Sequence, residues 1–460
     1  MSFRIERATV AHIDAICAIE RAAVEMFRGH AAWPFYSAMS MPPELLAEEI
    51  HRGLVWVALD DAGEPLGFVW LDTEQGGGVA GIAEIDVLPA CQRRGIGAAL
   101  LEHACDWARA AGYRRIDLGT LADVAWNAPF YAKHGFVAVD KHDPSYAYAR
   151  DRDRENGFPD SLRVFMSRRL PPLSAHEWSV WPAPASLRLF LRILAQREDG
   201  SDAVQSVFRL LDWGDEIRVR ARDDGGIRRL TDVPNLPESS DLMVRAAALL
   251  RDHAGVRSGA DIEIERRVPR AIGLGGGSSA AATVLLALNH VWRCGASTDE
   301  LADLGRMLAP EVSLFVRARA AWISGTGERG KPITLPRRWY VVLDPHENVS
   351  ASEIFQATEL TRIAPPATIS SFASGETVEN VFEPVVRARY PRVAAALDWL
   401  GRHGHARLSG KGGCVFLETA TPERAVAVAT RCPASFTAWV AEGVGVSPLH
   451  RALARHAAMD

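Results

Sequence analysis

The sequence predicts two domains in succession, each mixing strands and helices in the α/β (α+β) class. Three observations predict it. The chain has 460 residues, and domains average roughly 150, so two or three are expected. A proline pair, Pro171-Pro172, follows the strand-like stretch 162–170 and stops regular structure. On either side of that pair, short apolar runs alternate with segments of helical periodicity, and each half carries one glycine-containing strand–loop–helix passage. The expected boundaries are 1–170, a linker at 171–177, and 178–460, the last with an N lobe at 178–330 and a C lobe at 331–460.

The elements follow in order. The stretch 13–26 has the apolar spacing of an amphipathic helix. Runs at 54–59 and 66–71 flank Asp60-Asp61-Ala62-Gly63-Glu64, a hairpin signal. A third strand is expected at 82–88, a helix at 97–110 closed by Gly112, a strand at 115–119 and a short helix at 129–133. The charged stretch 141–161 is expected to be a solvated loop. Beyond the linker, strands are expected at 185–194, 216–221 and 261–266, and a helix at 242–251. A Gly/Ser-rich loop at 273–279 then leads into a helix at 280–292.

Composition excludes several classes. Hydrophobic residues make up 48% and charged residues 24%, an ordinary globular balance that argues against a largely disordered chain. Lys+Arg 52 against Asp+Glu 57 leaves no global basic excess for nucleic acid. No apolar run reaches the ~18 residues of a membrane span, and the charged N-terminal stretch lacks a signal-peptide core. Six scattered cysteines without a CxxC pair fit reduced thiols in a cytoplasmic protein. Only four lysines occur, at 133, 141, 331 and 411.

The first constellation is a strand, Ala83-Glu84-Ile85-Asp86-Val87-Leu88, followed by Gln92-Arg93-Arg94-Gly95-Ile96-Gly97 and a helix start. Free N–H groups at a helix N-terminus suit a phosphate, although a tight turn explains a lone GxG equally well. Downstream lie Ala125-Trp126-Asn127-Ala128-Pro129-Phe130-Tyr131 and Gly135-Phe136. Together these segments resemble the acyl-CoA motif, Q/R-x-x-G-x-G/A, and the Asn…Phe-Tyr…Gly-Phe ending of GCN5-related N-acetyltransferases (GNAT). The resemblance covers about residues 3–169. It implies a GNAT acyltransferase fold, acetyl-CoA and a small-molecule amine substrate. It also implies pyrophosphate contacts from 92–97, a carbonyl contact near Val87 on a strand that splays from its neighbour, and a pantetheine contact from Asn127. Tyr131 is implied as proton donor to the leaving thiolate and Glu84 as base. A structural carboxylate at 84 and a merely packed ring at 131 stay open. The stretch Phe27-Arg28-Gly29-His30-Ala31-Ala32-Trp33-Pro34 either lines an amine pocket or packs its own loop, and His134 reads as a surface helix residue.

The second constellation is Gly273-Leu274-Gly275-Gly276-Gly277-Ser278-Ser279 before a long helix, without the lysine of a GxxxxGK[ST] loop. It resembles the P-x-x-x-G-L-G-S/G-S-S-A motif of GHMP-type kinases, and within them 4-diphosphocytidyl-2-C-methyl-D-erythritol kinase. Supporting segments are Leu210-Leu211-Asp212-Trp213-Gly214-Asp215, Arg407-Leu408-Ser409-Gly410-Lys411-Gly412-Gly413 and Ser447-Pro448-Leu449-His450. The resemblance implies a two-lobed fold, ATP at 273–279, Mg2+ if the kinase is active, and a cytidine-diphosphate sugar-alcohol-like ligand. No resident metal site is expected.

The chain departs from this family where chemistry is done. Its P-A-K-L-N-L motif reads Pro184-Ala185-Ser186-Leu187-Arg188-Leu189, its G-Y-H reads Gly200-Ser201-Asp202, and its catalytic Asp aligns with Glu311. Arg188 is expected on the opposite side of the strand from Ser186. Three possibilities follow: an acetyltransferase with a nucleotide-binding domain whose catalytic residues are lost or changed, a bifunctional enzyme that retains the isoprenoid kinase step, or an acetyltransferase with a non-catalytic ligand sensor.

Overall fold

The expected hairpin forms as Val55–Leu59 and Pro65–Asp72, antiparallel. Asp60 holds its turn by accepting from the backbone N–H of Ala62 and Glu64, the bonding that favours Asp in turns. In the computed structural model the described residues are 2–459, except 39–40, 125, 141, 156, 197–201, 235, 270–272, 326–328, 358–359 and 377–378. Contacts divide the chain into Met1–Leu173 with Arg455–Asp460, and Ser174–Ala454.

The first unit is a seven-stranded sheet. Its spatial order is Arg4–Arg7, Val55–Leu59, Pro65–Asp72, Val79–Val87, Arg115–Leu121, Arg163–Arg169 and Val137–Ala138. Among the described strands only Val79–Val87 and Arg115–Leu121 run parallel, and the helix Ile96–Ala110 makes the crossover such a pair requires. The first helix ends at Val24, two residues early, and passes into a 3-10 turn, Glu25–Phe27. The charged stretch expected as a loop contains a helix, Ala147–Glu155. Alanine and arginine favour it, Arg154 pairs with Asp151 at 2.9 Å, and Asp153 is buried against Arg163.

The second unit is built on a long hairpin, Ser179–Gln196 with Asp202–Arg222. The strand expected at 185–194 is longer at both ends. Pro182 and Pro184 fit within it because Ser179–Gln196 is an edge strand there, laddered to Asp202–Arg222 and bridged on its other side at Leu191, to Asn380. A ten-stranded sheet runs through both expected lobes, with Thr437–Val444 joining Arg338–Asp344 to the long strand at Leu210 and Leu211. Strand Arg329–Pro332 crosses the expected boundary at 330/331. One core gathers Trp181, Phe208, Leu285 and Phe315, another Leu343, Phe382, Leu397 and Val415. The helix expected from 280 begins at Gly276, because Gly275 takes the left-handed conformation (φ 73) at the cap.

Candidate active sites

Strand Val79–Val87 pairs unequally on its two sides. Toward Pro65–Asp72 the ladder continues to Gly67↔Val87. Toward Arg115–Leu121 it stops at Ile82↔Leu118. Residues 83–87 are therefore laddered on one side only, and the two parallel strands splay there. Beyond them comes a 3-10 turn, Pro89–Cys91, then Arg93 and Gly95 at positive φ, 58 and 84.

Gly95 caps helix Ile96–Ala110, and no side chain satisfies the first-turn N–H groups. A Cβ at Gly95 would meet nothing within 4 Å, so backbone conformation, not crowding, calls for glycine there. At Gly97 a Cβ would meet only ordinary contacts, 3.6 Å to Val87 and 3.8 Å to Phe130. Ile96 is buried, so only its backbone faces the open end. Gln92 reaches back to the Met26 sulfur at 3.0 Å and the Val87 carbonyl at 3.5 Å. It braces the strand end. Arg94 donates to the Ala90 carbonyl.

Asn127 caps helix Ala128–Lys133 with its backbone alone. Tyr131 sits edge-on to Phe130 and Phe136, and its hydroxyl takes no hydrogen bond from any described residue. Burial, then the carboxylates of Glu84 and Asp86, raise its phenol well above the ordinary range. Tyr131 and Glu84 are thus brought together. His134, half-buried at the C-cap of helix Ala128–Lys133, is tied to Glu102 at 3.0 Å. In the loop, His30 Nδ1 accepts from the Ala32 N–H at 3.0 Å, so Nε2 faces Asp123 at 3.1 Å.

In the second unit, loop and helix come together differently from the plain phosphate cradle expected. At Gly273 (φ 86) a Cβ would lie 2.5 Å from the Ser409 carbonyl, and at Gly275 2.7 Å from Phe315. These two glycines serve close packing. Gly276 and Gly277 have room on their outer sides, and helix Gly276–Val291 has no side-chain cap. Ser279 is fully buried and its hydroxyl has no partner. An uncapped N-terminus beside an unpartnered hydroxyl fits a phosphate group.

Arg188 corrects the sequence expectation. Residues two apart on a strand share a face, and both 186 and 188 turn toward this loop. The Ser186 hydroxyl donates to the Leu274 carbonyl at 3.4 Å. The Arg188 N–H donates to Ser409 Oγ, and its guanidinium donates to Glu311 at 2.7 Å. Arg188 Nη1 is buried without a partner. The Arg188 charge foremost, with Lys411 adding to it, holds the Glu311 carboxyl below the usual range. Gly200 and Ser201 lie outside the described residues, as do Ala125 and 270–272. Among the described residues no group of three His, Cys, Asp or Glu side chains could hold a metal.

Known proteins match both halves. Residues 21–136 match the Acetyltransferase (GNAT) family, 241–314 the GHMP kinases N terminal domain and 359–438 the GHMP kinases C terminal domain. The 4-diphosphocytidyl-2-C-methyl-D-erythritol kinase of Xanthomonas campestris pv. campestris (strain B100) is 49% identical over 277 residues, 60% of this chain and 94% of the relative. The chain belongs to the 4-diphosphocytidyl-2-C-methyl-D-erythritol kinase family. The kinase of Halorhodospira halophila is 46% identical over 284 residues, 61% of this chain and 98% of that one. A crystal structure of 4-(cytidine 5'-diphospho)-2C-methyl-D-erythritol kinase superposes with a TM-score of 0.52 and 29% identity, covering 58% of this chain and all of that one. A GNAT domain therefore precedes a GHMP fold of the diphosphocytidyl-methylerythritol kinase family.

Sequence reasoning missed four residues of the first site. Asp86 lies two positions after Glu84 on the same strand face, a signal that was there to be used. Glu20, Tyr36 and Arg163 arrive from distant segments, and no local pattern marks them.

Proposed function

We propose that residues 1–170 form an acetyl-CoA-dependent N-acetyltransferase, and that residues 178–460, after a linker at 171–177, hold a nucleotide without transferring its phosphate. The splayed strand end carries the first half of this reading. It leaves backbone groups at 83–87 open beside an uncapped helix N-terminus and a free tyrosine hydroxyl. Acetyl-CoA supplies the activated acetyl group when bound. The N–H groups of 92–97 hold its pyrophosphate, the backbone near Val87 its carbonyl oxygen, and Asn127 its pantetheine arm. Glu84 takes a proton from the amine through water. Tyr131 donates its proton to the sulfur. Calorimetry on the full chain tests the reading: acetyl-CoA should bind, and any of several primary amines should then release free thiol.

The Arg188–Glu311 pair supports the second half. Phosphoryl transfer relies on charge placed at the reacting centre. Here the only described guanidinium on Glu311 neutralises the carboxylate in the place of the family's catalytic Asp. The phosphates would rest on Gly273–Ser279, and Mg2+ enters only with an active kinase. Complementation decides between this and the bifunctional alternative. Expressed in a bacterium depleted of its own kinase, the full chain should not support growth, yet ATP should bind in calorimetry. A cytoplasmic setting belongs to the same proposal, supported by six unpaired cysteines and by the lack of any described helix long and apolar enough to cross a membrane.

A further inference from the structure

A cavity of about 400 Å³ opens in the second unit against helices Thr298–Leu308 and Val312–Arg317 and the hairpin of Ala321–Gly325 with Arg329–Pro332. Its described walls include Arg306, Ser313, Arg317, Ser324, Gly330 and Lys331. No residue of the glycine loop at 273–279 is among them. Arg306 follows the wall residue Ala302 by four positions, and Arg317 follows Ser313 by four, so each helix turns one face to the space. Two glycines draw the surrounding elements together. A Cβ at Gly305 would lie 2.9 Å from Val312 Cγ1, and one at Gly330 would lie 2.8 Å from Leu314 Cδ2. Ser313 is buried, and its hydroxyl is fixed by donation to the Pro310 carbonyl at 3.0 Å.

The charges in these walls have one sign. Arg306, Arg317 and Lys331 line the space, and among the described residues no carboxylate does. Asp303 holds Arg306 and Asp299 holds Arg317, each at 2.6 Å, but both acids stand outside the walls with side chains 60% and 79% exposed. Ion pairs so open to water are weak and yield to a better anion. Lys331 has no hydrogen-bond or ion-pair partner among the described residues. Two guanidiniums and an ammonium around one space suit a phosphate, which guanidiniums grip through paired N–H groups. The volume lies within the range of small-molecule sites, roughly 300–1,000 Å³, and exceeds what a bare phosphate fills. The rest of the described wall is small. It offers no aromatic ring to stack a base and no long apolar side chain to take an acyl group. The organic part of a fitting ligand is therefore short and hydroxylated.

We propose that this cavity binds a small phosphate-bearing anion, with Arg306, Arg317 and Lys331 on the phosphate and Ser313 and Ser324 beside the organic part. No bond is made or broken there. The site is separate from the glycine loop and from Glu311. Glu311 caps the start of helix Val312–Arg317 and Arg317 ends it, about 9 Å apart along the axis. The proposal does not depend on whether the glycine loop holds a nucleotide.

The test is calorimetry on the full chain with three compounds: ribose 5-phosphate, ribose and inorganic pyrophosphate. Ribose 5-phosphate should bind saturably and ribose should not. Arg306→Gln combined with Lys331→Gln should weaken ribose 5-phosphate at least about 10-fold, and Lys331→Arg alone should stay within a few-fold of the parent. Both side chains are exposed, so the double variant should keep the parent's urea midpoint. Tighter binding of ribose 5-phosphate than of pyrophosphate assigns the site to phosphate esters, and the reverse order assigns it to free diphosphate; either supports a phosphate site. ATP is titrated beside them. A loss of ATP affinity in the double variant would merge the cavity with the nucleotide site and overturn a separate one. Failure of ribose 5-phosphate and pyrophosphate to bind the parent, or equal affinities in parent and double variant, also overturns the proposal.

Discussion

Arg188 Nη2 lies 2.7 Å from Glu311 Oε1, and the guanidinium is the leading influence holding that carboxylate below its usual range. The two departures from the kinase family therefore answer one another. Position 186 has lost a positive charge, position 188 has gained one, and the gained charge is spent on the carboxylate. Reversing two of the three changes is not enough. Ser186→Lys with Glu311→Asp leaves Arg188 on the carboxylate, so turnover of radiolabelled ATP with the methylerythritol substrate should stay at background. Adding Arg188→Asn should raise it at least about 10²-fold. Equal activity in the double and triple variants would show that the pair does not block transfer.

Removing one partner of that pair tests its structural weight. The Glu311 side chain is 45% exposed and that of Arg188 10%, so solvent screens one end only. Glu311→Gln strands a buried guanidinium whose Nη1 already lacks a partner. The expected loss in urea unfolding is about 1–2 kcal/mol, below the figure for fully buried pairs. Arg188→Leu added to Glu311→Gln should recover most of it.

Gly95 offers a cleaner separation of strain from charge. Its φ is 84 and a Cβ there would meet nothing. Gly95→Asn tolerates that backbone region and should keep acetyl-CoA affinity within a few-fold. Gly95→Asp tolerates it equally well but sets a carboxylate at the uncapped helix end, where pyrophosphate is expected. Calorimetry should show at least about a 10-fold weaker complex. Equal affinities for the two variants would remove pyrophosphate from this loop.

Tyr131 should matter for turnover and not for the alkaline limb of the pH profile. Burial and then Glu84 raise its phenol above the ordinary value of 10.0, so it stays protonated throughout the working range. Tyr131→Phe should lower kcat by about 10²–10⁴-fold with little change in KM. The profile of the parent should show no loss of activity below pH 10 that the Phe variant lacks.

Helix Pro43–Arg52 carries a buried Glu49 and a half-buried His51, titratable groups of opposite sign. Burial pushes Glu49 up to about 7, with Arg52 opposing, and pushes His51 down to about 4. The His51 contribution is complete above pH 6.5 and is lost as pH falls toward 4. The Glu49 contribution is complete below pH 4.5 and is lost as pH rises through 7. Between 4.5 and 6.5 the slopes oppose. Each spans at most about 3 kcal/mol. Glu49→Gln should therefore gain stability relative to the parent as pH rises from 4.5 to 7, and His51→Leu should gain as pH falls from 6.5 to 4. Urea midpoints at three pH values check both.

Much of this protein is legible in its sequence because the information is local. Two apolar runs around a turn signal point to the hairpin found at Val55–Leu59 and Pro65–Asp72, and spaced glycines mark both strand–loop–helix passages, since a positive φ is a property of one residue and its neighbours. The helix at Ala147–Glu155 was hidden by its charges, because its burial depends on Arg163, which neutralises Asp153 from strand Arg163–Arg169. The direction of Arg188 needed only the two-residue period of a strand, and its partner needed more. Glu311 lies 123 positions away, and only the folded sheet brings the two charges together. The same holds in the first unit. Local sequence determined that Glu84, Asp86 and Tyr131 exist on a strand and a short helix. That Asp86 would be pushed well above the usual carboxylate range was decided by the tertiary structure, which desolvates it and brings Glu84 and Glu20 near it. Conformational preference is written residue by residue, whereas charge compensation is a property of whatever the fold places within a few ångströms.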